Sequence, residues 1–172
     1  VELLVGYLGP VPRRAPPRCA WVAGGRGLWP GLDVGEHCRL VADDPELVAE
    51  ALTITELNDL LAARPARLSA GERARLDLAR AIASGAPVLV CDEALAHLDA
   101  GRAWRVADAL HAHLRSRGRD LVYTTHRGEA VLGWADRLLC LERGAVLFHG
   151  PVEAGYRAPP SAAVARCLGP CD

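Results

Sequence analysis

The chain has 172 residues, 51% of them hydrophobic, and a formal net charge of −1, which suits one domain with a buried core. So even a balance argues against a nucleic-acid partner, which needs a basic field. No apolar run approaches the roughly 18 residues of a membrane-spanning helix.

In chain order, Glu2 to Tyr7 is a short apolar run closed by Gly-Pro and reads as a strand. A Pro/Arg-rich loop follows from Gly9 to Arg18, then a second short strand over Cys19–Ala23. Gly24 to Gly31 is a glycine-rich loop containing Trp29-Pro30. From Val34 to Ala63 the pattern turns helical: Asp43-Asp44-Pro45 opens a helix with Leu47, Val48, Ala51 and Leu52 on one face. Ser69 to Ser84 forms a second amphipathic helix, with Leu76, Leu78, Ala79 and Ile82 on its apolar side and arginines on the other.

Short strands then alternate with helices. Pro87–Cys91 is an apolar strand of the kind buried on both faces. Gly101–Arg117 is a long helix, Asp120–Thr124 a strand and Arg127–Trp134 a short helix. Arg137–Leu141 and Ala145–Phe148 form a strand pair around Glu142-Arg143-Gly144. Such alternation predicts an α/β fold with a largely parallel sheet, whose chemistry gathers at the carboxyl ends of the strands. The six cysteines form no C-x-x-C pair and read as reduced thiols.

Three places carry chemistry. The Pro87–Cys91 strand runs into Asp92-Glu93: one carboxylate can hold Mg²⁺, directly or through water, and the other can orient or deprotonate a water. The same pair also fits an acidic surface turn. The next strand runs into His126, either a loop histidine or a contact to a terminal phosphate. Ser69 and Glu72 fit the S-x-x-E pattern of a helix cap. Such a helix start also attracts anions, and Gly71 in its first turn admits a ligand close to the backbone.

In this order, RLSAGERARLDLARAI, PVLVCDEALAHLD and LVYTTH resemble the nucleotide-binding domain of ABC transporters. LSAGE resembles the signature LSGGQ, VLVCDE the Walker B strand, ALAHLD the D-loop and YTTH the switch-histidine loop. WVAGGRGLWPGLDVGEH resembles the segment around the Q-loop, and AVLFHGPVEAGYRAPPSAAVARCLG the tail of molybdate, iron and polyamine importer ATPases. The resemblance implies a P-loop NTPase-like parallel sheet with helices, as one truncated domain over 1–172 with a small helical subdomain inserted at about 33–84. It implies that Asp92 helps hold Mg²⁺, that Glu93 is the general base and that His126 senses the γ-phosphate of ATP. Asp99 would link two halves of a dimer, and Ser69, Gly71 and Glu72 would complete the ATP site of a second ABC subunit. The implied partner is a membrane permease, with the chain peripheral on the cytoplasmic face.

Two departures matter. All 20 basic residues are arginine, so no G-x-x-x-x-G-K-[ST] phosphate loop exists within these residues. With no methionine at the start, the chain reads as lacking its amino-terminal strands and Walker A, which predicts a gap or exposed edge in the sheet. Gly24 stands where the family has its Q-loop glutamine. Two rival readings remain: a catalytically silent ABC subunit lending its signature helix to a partner, and an ABC ATPase of DNA repair or translation. The near-neutral charge and the absence of a coiled-coil arm count against the second rival.

Overall fold

The computed structural model describes residues 2–6, 18–24, 27–126, 128 and 133–169, with side chains from residue 18 onward. Most of the Gly9–Arg18 loop and of the helix expected at Arg127–Trp134 lie outside the described residues. The chain divides into two compact units, Pro17–Arg119 and Val1–Pro16 with Asp120–Asp172.

In the Pro17–Arg119 unit, strand β2 (Cys19–Val22) pairs in parallel with β3 (Val88–Asp92), Cys19 opposite Val88 and Val22 opposite Cys91. This is the α/β arrangement expected from the sequence. Leu89 and Cys91 are wholly buried while Val88 and Val90 are half-buried, so β3 is less enclosed than its apolar run suggested.

Between these strands lie three helices, α1 (Val34–Val41), α2 (Pro45–Ile54) and α3 (Ala70–Ala83), and α4 (Ala100–Ser116) follows β3. As expected, Asp44 caps α2, its Oδ1 accepting from the Glu46 N–H at 2.9 Å, with Pro45 in the first helical position. Val48, Ala51 and Leu52 are buried, and Leu47 is half-buried. The helix ends where Glu56 takes φ +52°, with Glu56 N–H bonded to the Thr53 carbonyl and Leu57 N–H to that of Leu52. That pattern is a Schellman stop.

Helix α3 is the centre of this unit. Leu76, Leu78, Ala79 and Ile82 are fully buried, but so nearly are Arg75 and Asp77, at 4% and 5% exposure. The arginine-rich side is therefore not simply a solvated face. Arg75 Nη1 donates to the carbonyls of Thr55 and Glu56, both at 2.7 Å, and Asp77 Oδ2 accepts from the Ala23 N–H at 2.9 Å. These bonds offset the burial of both side chains, although Arg75 Nε itself has no hydrogen-bond partner.

In the other unit, β1 (Glu2–Gly6) pairs antiparallel with both β4 (Asp120–Thr125) and β5 (Arg137–Glu142). β1 therefore has a paired strand on each side. β5 turns back into β6 (Ala145–Pro151) through Arg143 and Gly144, at φ +50° and +78°, as in a tight hairpin. Leu138, Cys140, Val164 and Leu168 build the core under α5 (Val152–Arg157) and α6 (Ala162–Leu168). Among the described residues, no helix is long and apolar enough to cross a membrane.

Candidate functional site

The start of α3 is a complete capping box. Ser69 Oγ accepts from the Glu72 N–H at 3.2 Å, and Glu72 Oε2 accepts from the Ser69 N–H at 2.7 Å. The backbone bond from Ser69, more than any other contact, holds the Glu72 carboxyl below the usual range. The box leaves two amides over. No described residue accepts from the N–H of Ala70 or Gly71, so this helix end presents donors and a positive dipole end outward.

The same local pattern occurs once more, at Asp33-Val34-Gly35-Glu36. There Asp33 Oδ1 accepts from Glu36 N–H at 2.7 Å and Glu36 Oε2 from Asp33 N–H at 2.8 Å. Its two remaining amides are taken: Val34 N–H donates to the Ala63 carbonyl and Gly35 N–H to that of Leu61, both at 3.0 Å. The α1 start is closed by protein and the α3 start is open.

Gly71 has a structural reason to lack a side chain besides the approach of a ligand. A Cβ there would sit 3.2 Å from the His97 carbonyl oxygen and 3.2 Å from Leu98 Cδ2. The first turn of α3 thus abuts the turn that leads from β3 into α4. Asp92 ends β3 with its side chain exposed, and Glu93 follows at φ +46°. That left-handed backbone costs a non-glycine residue about 1–2 kcal/mol. Buried Ala94 and Leu95 anchor the turn, which ends at Asp99, the N-cap of α4. Asp99 Oδ1 accepts from the Arg102 N–H at 2.9 Å, and that bond chiefly lowers the Asp99 pKa.

Ser69, Gly71, Glu72, Asp92, Glu93 and Asp99 therefore all belong to the Pro17–Arg119 unit, the first three on one helical turn packed against the approach to Asp99. His126 follows β4 in the other unit and is exposed. Among the described residues, no three His, Cys, Asp or Glu side chains group as a metal cage. Asp92 is exposed, and Mg²⁺ is a hard ion that ordinarily takes one or two carboxylates and completes its shell with water and phosphate oxygens.

Sequence reasoning missed the Asp33 box, although its D-x-x-E spacing was visible, and also the grip of α3 on the loop after β2. Arg80 Nη1 donates to the Gly27 carbonyl at 3.1 Å, and its guanidinium lies 4.6 Å from the centre of a Trp29 ring. The Trp29 N–H donates to His37 Nε2 at 2.9 Å, while His37 Nδ1 lies 2.7 Å from the Asp33 carbonyl. Gly24 in that loop has φ +67°, a conformation a glutamine would adopt only with strain of about 1 kcal/mol.

Residues 12–96 match the ABC transporter family. The spermidine/putrescine import ATP-binding protein of Haemophilus ducreyi is 34% identical over 122 residues, 71% of this chain and 33% of that protein. The methionine import ATP-binding protein of Clostridium acetobutylicum is 30% identical over 125 residues, 73% of this chain and 39% of that protein. The chain thus spans between a third and two fifths of these relatives' length. The fold matches the dimeric structure of MJ0796, a bacterial ABC transporter cassette, with a TM-score of 0.70 at 23% identity over 79% of this chain and 63% of that one. The same cassette in a post-hydrolysis state bound to ADP and Pi matches with a TM-score of 0.69, at the same identity and coverage.

Proposed function

We propose that this chain is ATP-binding cassette sequence of an importer ATPase, a reading supported by the match of residues 12–96 to the ABC transporter family. Residues from about 33 to 84 form its helical subdomain, and a membrane permease is its partner on the cytoplasmic face. The observation that carries this reading is the open start of α3, where Ala70 and Gly71 N–H groups have no described acceptor while the matching groups of α1 are filled. Two unpaired amides and a helix dipole suit the terminal phosphate of an ATP held by a second subunit.

The roles follow from chemistry at each position. Ser69, Gly71 and Glu72 set the geometry of the α3 start, with Gly71 letting phosphate oxygens reach the backbone. Asp92 would hold Mg²⁺, which when bound neutralises charge on the phosphate oxygens. Glu93 would accept a proton from the attacking water, and its strained backbone fixes where its side chain leaves the strand. His126 would donate a hydrogen bond to the γ-phosphate, and Asp99 would meet the second subunit. One alternative has a specific observation behind it: a silent subunit that lends only α3. The positive φ of Gly24, at the place of the family glutamine, favours that reading.

The test is complementation. This chain is mixed with an ABC cassette that keeps its P-loop and Walker B residues but carries a disabled signature serine. We expect ATP turnover to appear on mixing and to vanish with Ser69→Arg in this chain, while the chain stays folded and loses only the cap, about 1 kcal/mol. Turnover indifferent to Ser69→Arg, or absent with the unmodified chain, sinks the reading.

A further inference from the structure

Glu56 occupies the position after α2 where a helix stop of this type ordinarily takes glycine, because the left-handed backbone leaves no comfortable room for a Cβ. It holds φ +52° all the same. Its carbonyl and that of Thr55 both accept from Arg75 Nη1 at 2.7 Å, and Arg75 lies one turn into α3, three residues after Glu72. Its carboxylate divides between two arginines of α4: Oε2 accepts from Arg102 Nε at 2.9 Å and Oε1 from Arg105 Nε at 3.1 Å.

Two of these arginines, Arg102 and Arg75, lead to a helix start. Arg102 is held twice, its side chain by Glu56 and its own N–H by the Asp99 cap. Arg75 anchors the first turns of α3, the helix capped by Ser69 and Glu72. A strained residue that binds the first turns of two helices through its backbone on one side and its carboxylate on the other does more than end α2. Exposed ion pairs contribute little to stability one by one, so a glutamate that holds a left-handed backbone while its carboxylate bridges two arginines points to geometry.

We propose that Glu56 is a positioning residue that fixes the start of α4, with Asp99, against the start of α3, with Ser69 and Gly71. It acts through Arg102 and Arg75 and touches no nucleotide. The consequence for ATP turnover rests on the function proposed above; the positioning itself does not.

The test is amide hydrogen exchange on the full chain, unmodified and as Glu56→Gln and Glu56→Gly. Glycine suits the left-handed backbone and keeps the fold, while removing the carboxylate. We expect exchange at Arg102 and Ala103, whose N–H groups are bonded to Asp99, to rise by about tenfold in both variants, with the core strands β2 and β3 unaffected. The thermal midpoint of Glu56→Gly should be no lower than that of the unmodified chain. Unchanged exchange at Arg102 and Ala103 overturns the proposal, as does a rise spread evenly over the whole unit. In the mixed-dimer assay, Glu56→Gln should lower kcat for ATP and leave KM alone. Full turnover by Glu56→Gln, beside an active unmodified chain, also overturns it. An inactive unmodified chain refutes the proposed function instead and leaves the exchange result to decide on Glu56.

Discussion

Helices α1 and α3 begin with the same local chemistry: Asp33-Val34-Gly35-Glu36 in one, Ser69-Ala70-Gly71-Glu72 in the other. Both capping boxes are complete. Yet the second and third donors of α1 end on the carbonyls of Ala63 and Leu61, while those of α3 meet no described acceptor. A capping box therefore stabilises a helix wherever it occurs, and it becomes an anion site only where the surrounding chain leaves the remaining amides uncovered.

The largest effect expected from this difference is functional. In the mixed-dimer assay, Asp33→Arg should leave ATP turnover within about twofold, whereas Ser69→Arg abolishes it. Each variant also loses a helix cap, at a cost of about 1 kcal/mol read from the thermal or denaturant midpoint. Equal loss of turnover from the two would erase the distinction between the helix starts.

A smaller contrast lies in the two glycines. A Cβ at Gly35 would meet only the end of the Arg39 side chain, 2.8 Å from Nη1, which can swing aside. Gly35→Ala should then stabilise by about 0.5–1 kcal/mol, because alanine is the better helix former. At Gly71 the neighbours are the His97 carbonyl at 3.2 Å and Leu98, and backbone yields less readily. Gly71→Ala should lose that gain and destabilise by about 1 kcal/mol, with the backbone resonances of residues 97–99 shifting. Equal stabilisation by both substitutions would show that the α3 start is not packed against that turn.

The smallest effect is the response to acid. The Glu72 carboxyl titrates below its ordinary value of 4.5, mainly through the bond from the Ser69 N–H. Its contribution is complete above the unfolded value and is lost as pH falls through the lower folded one. Thermal midpoints taken from about pH 6 to about pH 3 should fall, and Glu72→Gln should flatten part of that slope. Only part is expected, because Glu56 and Asp99 are depressed as well, each by its own hydrogen bonds with α4. An unchanged slope would mean that the box contributes nothing to folding.

Much of this was legible in the sequence. Alternation of apolar runs placed β2, β3, β4 and β5 to within a residue, and β6 from its first residue though it runs three residues past Phe148, since strand burial is written in consecutive side chains. Asp44-Pro45 and Ser69-x-x-Glu72 announced two helix starts through local hydrogen bonding alone. The stop of α2 was hidden, because its left-handed residue is a glutamate and no glycine signals the turn. The antiparallel pairing of β1 was hidden too, since pairing partners far apart in sequence leave no local periodicity. The burial of Arg75 and Asp77 escaped for the same reason: their partners lie far off in the chain, at Thr55, Glu56 and Ala23.

The sequence by itself determined the helix caps, the carboxylates at the end of β3 and the order of motifs that resembles the ABC transporter family. Each of these depends on residues within a few positions of one another. Only the tertiary structure decided that the α3 start is open and the α1 start shut, and that Gly71 lies against the approach to Asp99. It alone brought Glu56 between two helices. Those facts depend on which distant carbonyl or guanidinium reaches a given amide or carboxylate, and the folded chain alone fixes that distance.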